Sequence, residues 1–408
     1  MMYHAIELQK ALLRPATLIA EATSELLHHP RNPLRDTYLS RAFAANHELF
    51  SRIHRRYPKP TFGIDSIERA GVRVPVREEV VAVRPFCQLV RLRADSSVPL
   101  PRLLIVAPLS GHFATLLRDT VRTSVQDFEV YVTDWMDAKL VPLAQGAFHL
   151  DDYIDYVRDF VALLGPGLHV MAVCQPAVPV LAAVSLLAED NHPCTPQTLA
   201  LLAGPIDTRL NPTEVNRFAL KKPLSWFENR LIHTVPPNHP GAGRKVYPGF
   251  LQLAGFVSMN PDRHLKAYRD FYFDVVRGKK PSADAHRAFY DEYNAVLDMA
   301  AEYYLDTVKT VFQEYQLARN LMKVRGRLVR PQAITKTALL TVEGVQDDVV
   351  GIGQTQAAQR LCRNLTDDQR QHLLVEKVGH YGVFSGRRFR EVIYPQIRDF
   401  VQRHAQPV

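Results

Sequence analysis

From Phe160 to Ala188 the chain runs for 29 residues without an Asp, Glu, Lys or Arg. That is long enough to cross a bilayer. The run is also broken, by Gly165-Pro166-Gly167 and again by Gln175-Pro176 and Pro179. These breaks cut it into pieces too short for a span, and a buried strand, a tight turn and a buried helix accommodate all of them. The segment therefore predicts a strand over Leu168–Val173 that stops at Cys174, then an apolar helix over Pro176–Ala188.

The rest of the chain repeats that alternation. Apolar positions at three- and four-residue spacing predict helices over Ala5–Leu27 and Tyr38–Ile53. From about Val72 the period becomes strand-like: Val72–Val76, Val80–Val83, Gln88–Arg93, Leu103–Val106 and Phe128–Val132. Asp151–Leu164 has helical spacing. Further strands are expected at Thr198–Ala203, Ala338–Val342 and Leu373–Val375, and a last helix at Arg387–His404. Strands alternating with helices predict an α/β chain with a mostly parallel sheet covered on both faces. Residues 211–330 interrupt the rhythm with a long helical pattern, Asp284–Leu321 especially, and Pro/Gly-rich joints at Val235–Gly243 and Gly278–Pro281. They stand between two sheet strands, where an α/β-hydrolase carries a cap. The expected division is an N-terminal helical region (1–70), a core in two parts (71–210 and 331–408) and a helical cap (211–330).

Composition excludes several classes. Four cysteines in 408 residues, with no CxxC or Cys/His ligand spacing, leave no disulfide scaffold and no structural zinc. The first thirty residues lack the ordered regions of a signal peptide, so a reducing, cytoplasmic setting is the expectation. Of the net charge of +8, +7 falls in residues 211–330, which also hold 17 of the 37 aromatics. Basic plus aromatic fits single-stranded nucleic acid, an apolar or anionic partner surface, or a helical subdomain with aromatic core faces and solvated charges. The signal does not choose among them.

The chemistry concentrates at three turns. Ala172-Val173-Cys174-Gln175-Pro176 sits where a strand-to-helix nucleophile elbow belongs, with cysteine in the place of serine. Ala172 is small, and Pro176 is acceptable in a first helical turn. Gln175 keeps the backbone N–H that an oxyanion hole needs. After the strand at Ala338–Val342 comes Glu343-Gly344-Val345-Gln346-Asp347-Asp348, and after the last strand comes Gly379-His380-Tyr381-Gly382. Cys174, Asp347 and His380 thus follow the chain order nucleophile, acid, base. Asp348 and Glu343 are alternative acids. Ser110, in Ser110-Gly111-His112, is a rival nucleophile, although no matching acid and base follow its strand.

Ala107-Pro108-Leu109-Ser110-Gly111-His112-Phe113-Ala114-Thr115-Leu116-Leu117-Arg118, Thr133-Asp134-Trp135-Met136-Asp137-Ala138, Val173-Cys174-Gln175-Pro176 and Gly379-His380-Tyr381-Gly382 together resemble the intracellular poly(3-hydroxybutyrate) depolymerases. The likeness spans most of the chain. It implies an α/β-hydrolase with a Cys-Asp-His triad that acts on amorphous polyester granules, the roles falling on Cys174, Asp347 and His380. Backbone N–H groups of Gln175, Gly111 and His112 are the expected oxyanion donors, and Ser110, Trp135 and Trp226 the expected substrate contacts. No metal and no cofactor is expected, although coenzyme A can replace water as the acceptor of a thioester. The expected partner is the polyhydroxybutyrate granule surface, without nucleic acid and without a transmembrane segment. A polyhydroxyalkanoate synthase-like acyltransferase is the nearest alternative, but it favours a Gly-x-Cys-x-Gly box that Ala172 and Pro176 do not supply. A non-catalytic granule-binding protein is the other.

Overall fold

The computed structural model describes residues 2–69, 71–96 and 99–405, and its described residues build a nine-stranded sheet. In chain order the strands are β1 (Ser66–Arg69), β2 (Val72–Arg84), β3 (Cys87–Ala94), β4 (Arg102–Val106), β5 (Glu129–Trp135), β6 (His169–Val173), β7 (Thr198–Leu202), β8 (Ala338–Gly344) and β9 (Arg370–Val375). Across the sheet they run β1-β2-β3-β5-β4-β6-β7-β8-β9. The β1/β2, β2/β3 and β3/β5 pairs are antiparallel. Every pair from β5 to β9 is parallel. An antiparallel edge, an inverted β5-β4 order and a sharp turn after β6 define the α/β-hydrolase fold.

Burial explains the charge-free run. All five residues of β6 are buried, as are those of β7 on one side, while four of five are buried in β4 on the other. The helix after β6, Ala177–Glu189, buries every residue from Ala177 to Leu187. No helix among the described residues is long and apolar enough to cross a membrane.

Two N-terminal helices, α1 (Met2–His28) and α2 (Tyr38–His54), precede the sheet. Between β7 and β8 lies the insertion, whose main helices are Glu214–Lys221, Leu224–Leu231, Gly249–Met259, Pro261–Val276 and Lys280–Tyr293. The N-terminal pair is fastened to this insertion. Ala45 of α2 joins Phe271, Val275, Val276 and Ala283 in a separate small core. The buried Arg52 donates to the Arg287 carbonyl at 3.0 Å and to Asp291 at 2.8 Å. Arg287 in turn holds Glu48 with two bonds, at 2.7 and 2.8 Å. A second tie runs from α1: the Tyr3 hydroxyl donates to Asp298 Oδ2 at 2.5 Å, and Asp298 Oδ1 accepts the Gly249 N–H at 2.8 Å.

Two sequence expectations are revised. Val72–Val76 and Val80–Val83 are one strand, β2, with an irregularity between Val80 and Ala82 that the alternation alone reads as a break. The helical pattern of Asp284–Leu321 is not one helix. It stops at Tyr293, passes through an extended Met299–Ala300 pair, and resumes at Ala301–Thr307 and a wider-wound turn at Val308–Gln313. The interruption is a tertiary effect: the Leu297 N–H donates to the Gly111 carbonyl at 2.8 Å, and Met299 pairs with Tyr247.

Close packing at the β6 turn needs a glycine from elsewhere. A Cβ on Gly204, just past β7, would overlap the side chain of Ala177 and lie 3.2 Å from the Cys174 carbonyl. Gly204→Ala is therefore expected to cost about 1–3 kcal/mol by overpacking, read as a lower urea midpoint at unchanged slope.

Candidate active site

The turn after β6 is strained by design of its neighbours. Cys174 has φ +67°, a left-handed conformation that is uncommon for a residue with a side chain. Its N–H donates to the Leu202 carbonyl at 2.7 Å, and its own carbonyl accepts from the Ala177 N–H at 3.1 Å, so β7 and the first turn of the following helix fix it from both sides. Such a conformation costs on the order of 1–3 kcal/mol and persists only where the surroundings impose it. Pro176 caps that helix with αR backbone angles, a place where the missing N–H breaks no helical bond. The thiol projects half-buried at the end of the strand.

Two more loops deliver partners to it. His380 Nε2 lies 3.2 Å from Cys174 Sγ, and His380 Nδ1 lies 2.8 Å from Asp347 Oδ2. The carboxylate can only accept, so Nδ1 carries a proton and Nε2 faces the sulfur. Asp347 Oδ1 accepts the Val349 and Val350 N–H groups, both at 2.8 Å, which fixes the carboxylate plane. The side chains of Asp347 and His380 are 2 % and 8 % exposed, so water screens this relay little. Burial alone would lower the His380 pKa. Coulombic interaction with Cys174 and then with Asp347, and a hydrogen bond to each, outweigh burial and hold it well above the ordinary 6.5. The raised value favours the imidazolium. Its stabilising share is fully present below the unfolded value and is lost as pH rises through the raised one.

The alternative residues have other work. Glu343 is buried and accepts the N–H groups of Gly353, Thr355 and Gln356 at 2.7–2.9 Å, bracing the turn after β8. Asp348 is exposed and accepts from the Asn260 side chain at 3.4 Å. His372 lies within β9, bonded to the Thr341 hydroxyl. Ser110 is half-buried in the loop after β4, and no hydrogen bond among the described residues joins it to an imidazole.

That loop departs from expectation in detail. The Gly111 carbonyl receives the Leu297 N–H, and His112 bridges Val296. The buried His112 ring bonds the Tyr293 carbonyl at 3.1 Å, and burial lowers its pKa to about 4, so it is neutral. A Cβ on Gly111, where φ is +108°, would meet Gln252 Oε1 at 2.7 Å, so the glycine makes room for the insertion. Gly111 and His112 thus anchor the insertion. The backbone donor of this loop that turns to the elbow is the Leu109 N–H, 3.4 Å from Gln175 Oε1. Trp135 is also revised as a substrate contact. It is 1 % exposed, stacked on Tyr153, and its indole N–H donates to the Ala107 carbonyl at 2.8 Å. Trp226 is half-buried against Phe218, Phe227 and Lys222, none of them part of the relay. Sequence reading missed Leu109, for which no motif signal exists. The buried phenol of Tyr303, one of the aromatics of residues 211–330, lies beside the Gln175 side chain.

Comparison with family models matches residues 203–405 to the PHB de-polymerase C-terminus. Residues 203–405, just under half of the chain, thus carry the C-terminal part of the PHB depolymerase family. The chain is a carboxylic ester hydrolase. The matched part of the chain starts just past β7, so it contains the insertion, Asp347 and His380, while the Cys174 turn lies upstream. A search of curated proteins finds no match. Solved structures similar to this chain include the α/β hydrolase GrgF from Penicillium sp. sh18, at 14 % identity and TM-score 0.46, covering 81 % of this chain and 99 % of that one. The 2-hydroxy-6-oxo-6-phenylhexa-2,4-dienoate hydrolase of Rhodococcus sp. strain RHA1 is 12 % identical, with TM-score 0.45 and coverage of 81 % and 99 %. The monoacylglycerol lipase of Paleococcus ferrophilus is 12 % identical, with TM-score 0.42 and coverage of 75 % and 96 %. These likenesses are distant, and the fold stands on the strand order.

The three carboxylates near β8 differ sharply in what they hold. Glu343→Ala strands three N–H groups and is expected to cost about 2–4 kcal/mol in urea unfolding, whereas the exposed Asp348→Asn should stay within about 0.5 kcal/mol of wild type.

Proposed function

We propose that this hydrolase depolymerises poly(3-hydroxybutyrate) granules, with Cys174 as nucleophile, His380 as acid and base, and Asp347 as the group that orients and charges the imidazole. The observation that carries the reading is the continuous relay from Sγ to Nε2 at 3.2 Å and from Nδ1 to Oδ2 at 2.8 Å. The raised His380 pKa supports it, since an imidazolium beside sulfur favours the thiolate, which is the reactive form.

In the first half-reaction the thiolate attacks the ester carbonyl carbon and a C–S bond forms. The carbonyl oxygen becomes an oxyanion between the N–H groups of Gln175 and Leu109, the latter once Gln175 Oε1 has released it. One such donor is typically worth about 3–4 kcal/mol. As the C–O bond breaks, His380 gives its Nε2 proton to the departing alkoxide, and the shortened polymer leaves with a hydroxyl end. The acyl group remains on Cys174 as a thioester. In the second half-reaction neutral His380 takes a proton from water, hydroxide adds to the thioester carbon, and the C–S bond breaks to release a 3-hydroxy acid and restore the thiolate–imidazolium pair. A thiol such as that of coenzyme A can replace water and carry the acyl group away as a new thioester. Neither route uses a metal or a resident cofactor, and the setting is the surface of storage granules in the cytoplasm. A synthase-like acyltransferase gains no support from the site, because the elbow keeps Ala172 and Pro176 where that box has glycines.

The reading is tested with freshly prepared amorphous granules. Wild type is expected to release 3-hydroxybutyrate, and Cys174→Ala to lose about three or more powers of ten in rate; undiminished release from the variant would remove Cys174 from the mechanism. A pH profile tests Asp347. Because its charge helps raise the His380 pKa, Asp347→Asn should move the alkaline limb of kcat/KM to lower pH and cut the rate by about two to four powers of ten. An unmoved limb would mean that Asp347 does not charge the imidazole.

A further inference from the structure

Eleven of the 26 large apolar side chains that stand exposed among the described residues lie on the two N-terminal helices. On α1, Met2 (39 %) and Leu18 (53 %) are exposed to either side of a stripe formed by Leu8 (62 %), Leu12 (71 %), Ile19 (66 %) and Leu26 (70 %). At 100° per residue these four fall within an arc of about 40°. On α2, Tyr38 (71 %) is exposed beside a stripe of Leu39 (76 %), Phe43 (63 %), Phe50 (37 %) and Ile53 (60 %), the four within about 80°. On each helix the sequence places no Asp, Glu, Lys or Arg within an arc of about 160° around that stripe. The charges lie on the other side, where Glu7 pairs with Arg56 and Glu21 with Arg55, and the small residues of α1 pack inward, Ser24 donating to the Ala44 carbonyl. The stripes expose an apolar area on the order of 900 Å², beyond the largest patch of most monomers and comparable to one side of a stable interface.

The shape and charge of this face select its occupant. A second helix takes a narrow seam with charged flanks, and an anionic lipid surface takes a helix with Lys and Arg along its border. A broad face without charge complements a surface that is itself neutral and apolar: polyester, with its methyl groups and ester dipoles. We propose that the α1–α2 hairpin docks the enzyme on the neutral polyester of the granule. This rests on the reading of the polymer as substrate. The hairpin is fastened through Arg52, Glu48 and Ala45 to helices 261–276 and 280–293. The second of these carries Tyr293, whose carbonyl holds His112 in the loop beside the elbow. Docking therefore sets the insertion that reaches over the site against the polymer.

The test uses the full chain carrying Leu12→Glu, Ile19→Glu and Phe43→Glu together, all at exposed positions. Three readouts are taken: hydrolysis of a soluble 3-hydroxybutyrate trimer, co-sedimentation with protein-free and lipid-free amorphous polymer, and hydrolysis of that polymer. The expected result is a soluble rate within about twofold of wild type, with binding to polymer and its hydrolysis each reduced at least about tenfold. Single substitutions serve if the triple variant loses the soluble rate, which reports on folding. Undiminished binding by a variant that keeps the soluble rate overturns the docking assignment and leaves the proposed reaction standing. So does a wild-type dimer that the substitutions split while polymer binding is unchanged, which would give the face to a second copy. Wild type sedimenting with anionic vesicles but not with bare polymer overturns it in favour of lipid. Wild type that cleaves the trimer and never the polymer removes the proposed substrate, and the docking assignment with it.

Discussion

A left-handed turn at Cys174 is the constraint around which the molecule is arranged. A residue with a side chain holds φ +67° only when its backbone is tied at both ends, here to β7 through Leu202 and to the next helix through Ala177. The turn in turn requires that β6 be a central, fully buried strand and that the following helix start without delay. Both requirements consume apolar residues, which is why 29 positions pass without a charge. The space for so tight a turn comes from Gly204 on the neighbouring strand's exit, since Pro176 stands where a second glycine is usual. The cost of the strain is returned as function: the thiol stands free of the sheet edge, where loops from two other strands can reach it.

Those loops form a gradient of constraint. Asp347 is pinned by two backbone N–H groups, His380 by Asp347, and the thiol by His380. Each bond orients the group that makes the next. Glu343, two residues past the middle of β8, performs a parallel task for the turn behind Asp347, with three N–H groups on one carboxylate. Two buried carboxylates within five positions thus divide the labour: one shapes the loop, the other faces the imidazole.

Much of this was legible in the sequence, because the sheet core is governed by local and periodic rules. The strand at Leu168–Val173, the apolar helix after it and the chain order of Cys174, Asp347 and His380 all follow from periodicity and turn chemistry. What was not legible depends on contacts made across the chain. Gly111 enters the sequence reading through its backbone N–H, and its missing side chain turns out to admit Gln252 of the insertion. Trp135 sits in a string that invites a binding role, yet its indole closes a core beneath the site. The helical periodicity of Asp284–Leu321 is real on both sides of Tyr293, but an extended segment between them pairs with residues far away in sequence. Leu109 carries no side-chain signal at all, since it acts through its backbone. The N-terminal helices show the reverse case: their periodicity predicts helices correctly, and only the exposures reveal that the apolar stripe faces outward.

The central claim is that the acyl group of the substrate passes through Cys174. The most direct measurement is an acid quench of the enzyme during turnover of a soluble 3-hydroxybutyrate ester, followed by digestion and mass spectrometry of the peptides. The account predicts the mass of one hydroxyacyl unit on the peptide containing Cys174, labile to neutral hydroxylamine as a thioester must be. The same mass on the peptide containing Ser110, resistant to that treatment, would contradict it.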